Sequence, residues 1–424
     1  MAREECSIQC RGMLGHGSRL PLAILATVVA AGAATLLLRP RSGLIEPDGV
    51  QTRAYFSQSE LDRAREFRRT QRLLGILGLG LSGGTLVLLV ARPPSGLLER
   101  VGRRPLLGAA GTGAGIALLI VVARLPVSAV AHKRAFDVGL STQQWGPWLG
   151  DLGKSAGIEA GFAAAGGAIA LALVRRFPRG WWVPAAGVIV VIGVLAIYLL
   201  PVLVDPLFNK FERLPDGRLR SDVLALASKA DVDVGEVYRV DASRRTTAAN
   251  AYVGGLGATK RVVLYDNLLE RFPADQVISV VAHELAHARH RDLQRGLLWL
   301  AIVAPAGTYL VQRVAALVGR GQGLGDPRAD PGPAVLPAIA LSLAIVSFAL
   351  GSASNVLSRQ VEARADAFSL RLTRDPEAFI GLERRLALSN VADPNPPRLY
   401  QLLFGTHPTT VQRIGIGEAF ARMR

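Results

Sequence analysis

The sequence predicts a mainly α-helical, polytopic membrane protein of about seven transmembrane helices, with a small α+β domain attached. Three observations predict this. Half of the 424 residues are hydrophobic and only 19% are charged. The apolar residues gather into seven runs long enough for a bilayer, which takes about 20 residues per helix. One long polar segment, residues 205–295, interrupts these runs, and near its end stands His283-Glu284-Leu285-Ala286-His287.

The runs are 20–38, 73–91, 105–123, 157–174, 181–204, 296–318 and 331–356. Arg3, Arg11 and Arg19 precede the first, whose 19 uncharged residues exceed a signal-peptide core, so it is expected to remain as an anchor. The fourth is the weakest, being rich in Gly and Ala and carrying Glu159, which suits an interface or a water-filled interior. Small residues such as Gly78, Gly80, Gly113 and Gly115 allow close helix approach. Trp181 and Trp182 sit where interfacial aromatics belong. The organisation is therefore a tail (1–19), helices one to five (20–204), a polar segment (205–295), helices six and seven (296–356) and a C-terminal segment (357–424).

Within 205–295, Pro215-Asp216-Gly217 marks a turn, 219–230 has helical spacing and 237–240 reads as a strand. Residues 249–253 and 261–265 flank the Gly254–Gly257 turn as a β-hairpin. A further helix is expected over 358–372. The net charge of +16 lies beside apolar runs without interleaved aromatics, which excludes a base-stacking surface and favours membrane lipid over nucleic acid. Cys6 and Cys10 support no disulfide framework and are assigned no role. Five Lys against 44 Arg points to a GC-rich, bacterial coding bias.

His283 and His287, four apart, share one face of a helix and can direct two imidazoles at one ion. Glu284 beside them is placed to act as general base on a water. A chance H-E-x-x-H is expected in roughly three per thousand chains of this composition. A peptidase zinc takes three protein ligands and keeps one position open. Glu362 is the third-ligand candidate, and Asp366, one turn on, can orient a ligand histidine or handle a proton. Glu362 reaches the metal only if helices six and seven form a hairpin that returns the chain to the same side. His407 and Arg413 are candidates for oxyanion stabilisation. Asn250 can cap an extended peptide added to the hairpin edge. His290 is set aside because the i, i+4 pair is complete without it, and His16 and His132 are read as surface residues. Eight Lys and Arg in 39–72 against four in 92–104 place the site at the cytoplasmic face.

Several stretches together resemble the type I CAAX prenyl endoprotease family. They are Phe208-Asn209-Lys210-Phe211, Asn250-Ala251-Tyr252, the strand ending at Asp266, the H-E-x-x-H helix, Leu357 to Phe368, and Thr406-His407-Pro408 with Arg413. The motif match covers about 205–415. The resemblance implies a seven-helix barrel around an intramembrane chamber, closed by one zinc ion per chain at the cytoplasmic end. It implies His283, His287 and Glu362 as ligands, Glu284 as base, Asp366 as a second functional acid, and Asn250, His407 and Arg413 along the substrate groove. The implied partner is a peptide or protein substrate, lipidated or otherwise membrane-associated. A bacterial chain would lack isoprenylated substrates, so the family name would then describe the structure. The neighbouring heat-shock-type quality-control proteases have fewer spans. A transporter or channel leaves the His and carboxylate set unexplained and lacks paired broken helices. An intact Glu284 argues against an inactive scaffold.

Overall fold

The computed structural model describes residues 19–94, 96, 102–255, 260–320, 322–324, 326 and 328–424. Cys6, Cys10, His16 and Gly257 lie outside them. Five long helices come first: α1 (Arg19–Leu38), α2 (Gln58–Ala91), α3 (Pro105–Asp137), α4 (Trp145–Arg176) and α5 (Trp182–Leu203). The polar segment follows as β1 (Phe211–Arg213), α6 (Arg218–Lys229), β2 (Glu236–Val240), β3 (Ala251–Gly254), β4 (Arg261–Tyr265) and α7 (Ala274–Arg289). Two further long helices, α8 (Asp292–Val318) and α9 (Leu336–Thr373), are followed by α10 (Pro376–Ser389) and α11 (Thr410–Arg422). Among the described residues, seven helices are long and apolar enough to cross a membrane, and each contains or overlaps one of the seven sequence runs.

Several helices outrun their apolar stretch. A capping box of Ser57 and Glu60 starts α2 well before residue 73. The polar half of α2 then grips the C-terminal segment: Arg72 pairs with Asp393 at 2.5 Å, and Arg68 Nε donates to the Val391 carbonyl at 2.8 Å. The separate helix expected at 358–372 does not exist as such. It is the last third of α9, one helix of 38 residues and roughly 57 Å at 1.5 Å per residue. No Gly or Pro stands at 356–358, and Ser358, a capping residue type, lies within the helix; polarity changes where the helix leaves the apolar layer, and backbone hydrogen bonding continues. About 30 Å of that length suffices for the hydrocarbon core, and the remainder carries Glu362 and Asp366 beyond it.

The long helices touch in the order α2–α3–α4–α5–α8–α9 and back to α2, a closed ring; α9 also touches α3 and α4, and α1 packs against α8 and α9. Leu22, Leu25, Val28 and Val29 stay exposed on α1, the surface a lipid-facing helix presents. Trp181 packs into the core between helices, with Leu171, Val311 and Leu336, instead of facing the headgroup layer. His132 is likewise not a surface residue; its ring stacks on Trp148 at 4.7 Å and meets the edge of Trp145 at 5.0 Å.

The sheet has strand order β1-β2-β4-β3. β3 and β4 form the expected antiparallel hairpin, with Tyr252 opposite Val263. β2 runs parallel to β4, and β1, three residues too short for a sequence signal, adds antiparallel to β2. One face of the sheet buries Val237, Val262 and Leu264 with Val281, Ala282 and Leu285 of α7. Burial on all sides explains why the run Val277 to Leu285 is apolar nearly throughout.

The closest helix approach joins α3 and α4. A Cβ at Gly113 would stand 2.1 Å from the Ala163 carbonyl oxygen, whereas one at Gly115 would meet nothing within 4 Å. Gly113→Ala is therefore expected to lower the detergent-solubilised Tm by the equivalent of about 1–3 kcal/mol, and Gly115→Ala to leave it within a degree or two. Equal melting of the two variants would sink this account of the α3–α4 contact.

Candidate metal centre

α7 places His283 and His287 on one face, with ring centroids 4.9 Å apart. α9 descends beside α7 and brings Glu362 to both. The His283 Nε2–His287 Nε2 separation is 3.2 Å, His283 Nε2 lies 3.1 Å from Glu362 Oε2, and His287 Nε2 lies 3.6 Å from Glu362 Oε1.

Each imidazole is held from behind by its own carboxylate. His283 Nδ1 lies 2.8 Å from Asp366 Oδ1, and His287 Nδ1 lies 3.1 Å from Asp292 Oδ2. Both Nδ1 atoms therefore carry the proton, and both Nε2 atoms point lone pairs at the same place. Two imidazole lone pairs and a carboxylate facing one point repel unless a cation lies among them. The donor set fits a metal ion for that reason, and the second carboxylate behind each histidine is the arrangement that fixes ligand orientation.

The supports are themselves anchored. Arg413 of α11 donates Nε to Asp366 Oδ2 at 2.9 Å and Nη2 to Oδ1 at 2.5 Å, and its Nη1 pairs with Glu383 at 2.9 Å. Arg364 donates to Asp292. Asp292 reaches His287 because α7 and α8 are joined by only two residues, with Arg291 in the left-handed region at φ 55°. An L-residue there costs roughly 1–2 kcal/mol.

Glu284 keeps part of its surface open at the centre; desolvation by the surrounding protein pushes its carboxyl above the ordinary range, against the pull of His283 and His287. Burial pushes Glu383 up to about 7, with Arg413 opposing, and the buried carboxylates around Arg413 raise its guanidinium above its usual value.

Seven of the eight residues singled out from the sequence thus share one cluster: His283, Glu284, His287, Glu362, Asp366, Arg413 and, at its rim, His407. The His407 side chain is 57% exposed, with Nε2 3.3 Å from Glu362 Oε2. Asn250 is exposed at the start of β3, the edge strand beside α7, and among the described residues its side chain bonds to none of the cluster. Arg413 is fully engaged by Asp366 and Glu383. His290 turns away, its Nδ1 bonded to the Ala286 carbonyl at 2.9 Å. Sequence reasoning missed Asp292 and Glu383. Asp292 falls in the charged end of the polar segment 205–295, ahead of the sixth run, and Glu383 sits in Glu383-Arg384-Arg385, which reads as a solvated surface.

The chain matches the sequence profile of Peptidase family M48 over residues 213–416 and that of the CAAX prenyl protease N-terminal region, five membrane helices, over 117–210. It is 30% identical over 302 residues to an uncharacterized metalloprotease of Bacillus subtilis, YhfN, covering 70% of each chain. The chain belongs to peptidase family M48. It is a metalloendopeptidase with a membrane-spanning N-terminal part. This M48 chain is also 32% identical over 228 residues to a CAAX prenyl protease 1 homolog of Arabidopsis thaliana, spanning about half of either chain (53% of each). It is 26% identical over 320 residues to CAAX prenyl protease 1 of Saccharomyces cerevisiae, covering 68% of this chain and 67% of the yeast protein. In fold it is similar to the crystal structure of S. mikatae Ste24p, with a TM-score of 0.73 and 20% identity, over 94% of this chain and 98% of that one. The family implies a metal, and among the described residues His283, His287 and Glu362 form a group able to hold it.

Two outcomes follow for the supporting acids. Asp292→Asn is expected to weaken metal binding 10–100-fold in a chelator competition titration while the chain stays folded; unchanged affinity would remove Asp292 from the centre. Glu383 holds a proton in the folded chain up to about pH 7 that the unfolded chain releases near 4.5. The folded state binds more protons between those values, so stability falls as pH rises through that window. Glu383→Gln should flatten that fall, as read from Tm against pH.

Proposed function

We propose that this protein is a zinc-dependent endopeptidase that cleaves membrane-associated or lipid-modified peptides at a cytoplasm-facing site. The observation that carries the reading is the convergence of His283, His287 and Glu362, with Glu284 on the same helix as the two histidines. Zinc is favoured by size and donor type. A tetrahedral ion with bonds of about 2.0–2.1 Å holds its ligand atoms roughly 3.4 Å apart. The three separations here are 3.2, 3.1 and 3.6 Å.

Zinc, when bound, lowers the pKa of a water to about 7 and polarises a carbonyl oxygen. Glu284 takes the proton of the attacking water and later returns it to the leaving amine. Asp366 is assigned to hold His283 and not to supply a proton: it is fully buried and both its oxygens are engaged by Arg413. Arg413 accordingly acts through Asp366. His407, exposed at the rim, is the remaining candidate to donate to the oxyanion. Substrate enters as an added strand along β3, where Asn250 caps it.

Relatives named CAAX prenyl protease 1 support a lipid-modified peptide as substrate class. The closed ring of helices supports a chamber that admits a lipid chain. The excess of basic residues in 39–72 over 92–104 supports the cytoplasmic side for the site.

On detergent-purified protein, Glu284→Ala is expected to retain metal and lose peptide cleavage by a factor of about 10²–10⁴. Cleavage of an unstructured or farnesylated peptide that survives the substitution would refute the base assignment. For orientation, green fluorescent protein fused after Arg424 should fluoresce in cells, and alkaline phosphatase fused there should be inactive; the reverse pattern would put the site outside.

A further inference from the structure

A basic cluster lies next to the metal centre, and the chemistry above draws on it only through Arg364. A cavity of about 430 Å³ is walled by Arg39, Arg41, Arg295, Arg364 and Arg371, with no Asp or Glu in its lining. The only carboxylate bonded to this set among the described residues is Asp292, which takes Arg364 directly and lies 3.7 Å from Arg295. Arg371 is turned to the Gly43 carbonyl at 2.8 Å, and so ties down the segment that carries Arg39 and Arg41. The cluster is therefore several positive charges in excess of its partners. Arg364 alone of the five is buried, at 6% exposed. Cations gathered around one void repel. That repulsion points to an anion that belongs in the cavity.

The place in the fold identifies the anion. Leu37 and Leu38 form the apolar part of the wall with Pro40 and Phe368, and the two leucines are the last residues of α1, a membrane span. Arg39 and Arg41 follow at once, at the level where the chain leaves the hydrocarbon. Below them α1 exposes Leu25, Val28, Val29 and Leu36 on its outer surface. A phosphate held by the arginines would lay attached acyl chains along that surface. Guanidinium groups suit phosphate because they offer paired N–H donors in one plane.

We infer that this cavity binds the headgroup phosphate of an anionic phospholipid. Arg39 and Arg41 attract it from the bilayer surface, and Arg364 and Arg295 meet it in the interior. Arg364 also holds Asp292, which holds His287. Occupancy of the cavity therefore fixes the side chain that stands second behind a metal ligand, and links lipid identity to the order of the centre.

The test uses the whole chain in detergent, with short-chain phosphatidylglycerol, phosphatidylcholine of the same chain length, or inorganic phosphate added. The reading is the thermal midpoint against concentration. Phosphatidylglycerol is expected to raise it saturably and phosphatidylcholine not. The double substitution Arg39→Gln with Arg41→Gln changes two exposed side chains. It should melt at the wild-type temperature without lipid and need at least tenfold more phosphatidylglycerol for the same rise. Equal rises with the two lipids would overturn the inference, because chain occupancy alone would explain them. So would an undiminished response in the double variant. A rise with inorganic phosphate equal to that with phosphatidylglycerol would overturn the lipid as source and leave a free anion in its place.

Discussion

The pair of carboxylate–imidazole contacts, Asp366 to His283 and Asp292 to His287, is the constraint on which the architecture around the centre depends. Each fixes a tautomer and a ring orientation, and each calls for a separate part of the chain. Asp366 arrives on α9 and Asp292 on the first turn of α8. Asp366 reaches only because α8 and α9 cross away and back, and Asp292 only because a two-residue link bends sharply at Arg291. Arg413 and Arg364 then neutralise the buried acids, which brings α11 and a second face of α9 into the same network. A buried charge network of this kind contributes little net stability, and removing one member leaves the others uncompensated. Its value lies in holding two nitrogens and one carboxylate within a few tenths of an ångström of useful positions.

Much of this was legible in the sequence because the signals were local. H-E-x-x-H needs only helical periodicity to be understood, and the seven spans need only length and hydropathy. The hairpin between 251 and 265 announced itself by alternation and a Gly-rich turn. The missed features are those that local pattern cannot carry. Asp292 is an acid at a helix start until the bend at Arg291 folds it under His287. Glu383 sits among arginines, and only packing shows that it faces inward to Arg413. His132 looked like a surface residue because the two tryptophans that enclose it stand on the next helix. The continuation of α9 past residue 356 was obscured because a change in polarity imitates an element boundary, although no residue there stops a helix.

The similarity to Ste24p at 20% identity, over nearly all of both chains, shows that very different sequences reach this fold. A ring of apolar helices needs small residues at its tight contacts and apolar surface elsewhere, and many sequences satisfy that. The metal-binding part is more demanding, since each of its polar groups has to meet a particular partner.

The unbroken run of α9 makes the bilayer and the third metal-ligand candidate parts of one rigid rod. Glu362 lies some sixteen residues past the middle of the apolar stretch, roughly 24 Å along the axis. A helix accommodates a thicker or thinner membrane chiefly by changing its tilt. A change of about 5° at that distance carries the carboxylate sideways by roughly 2 Å, a large displacement for a coordinating group. α7, which bears the histidines, crosses no membrane itself and is tied to the bilayer through its two-residue link to α8. The thickness of the surrounding bilayer thus acts on the separation between the two halves of the centre, and the polar contacts of α9 with α7, α11 and the segment after α1 are what resist it.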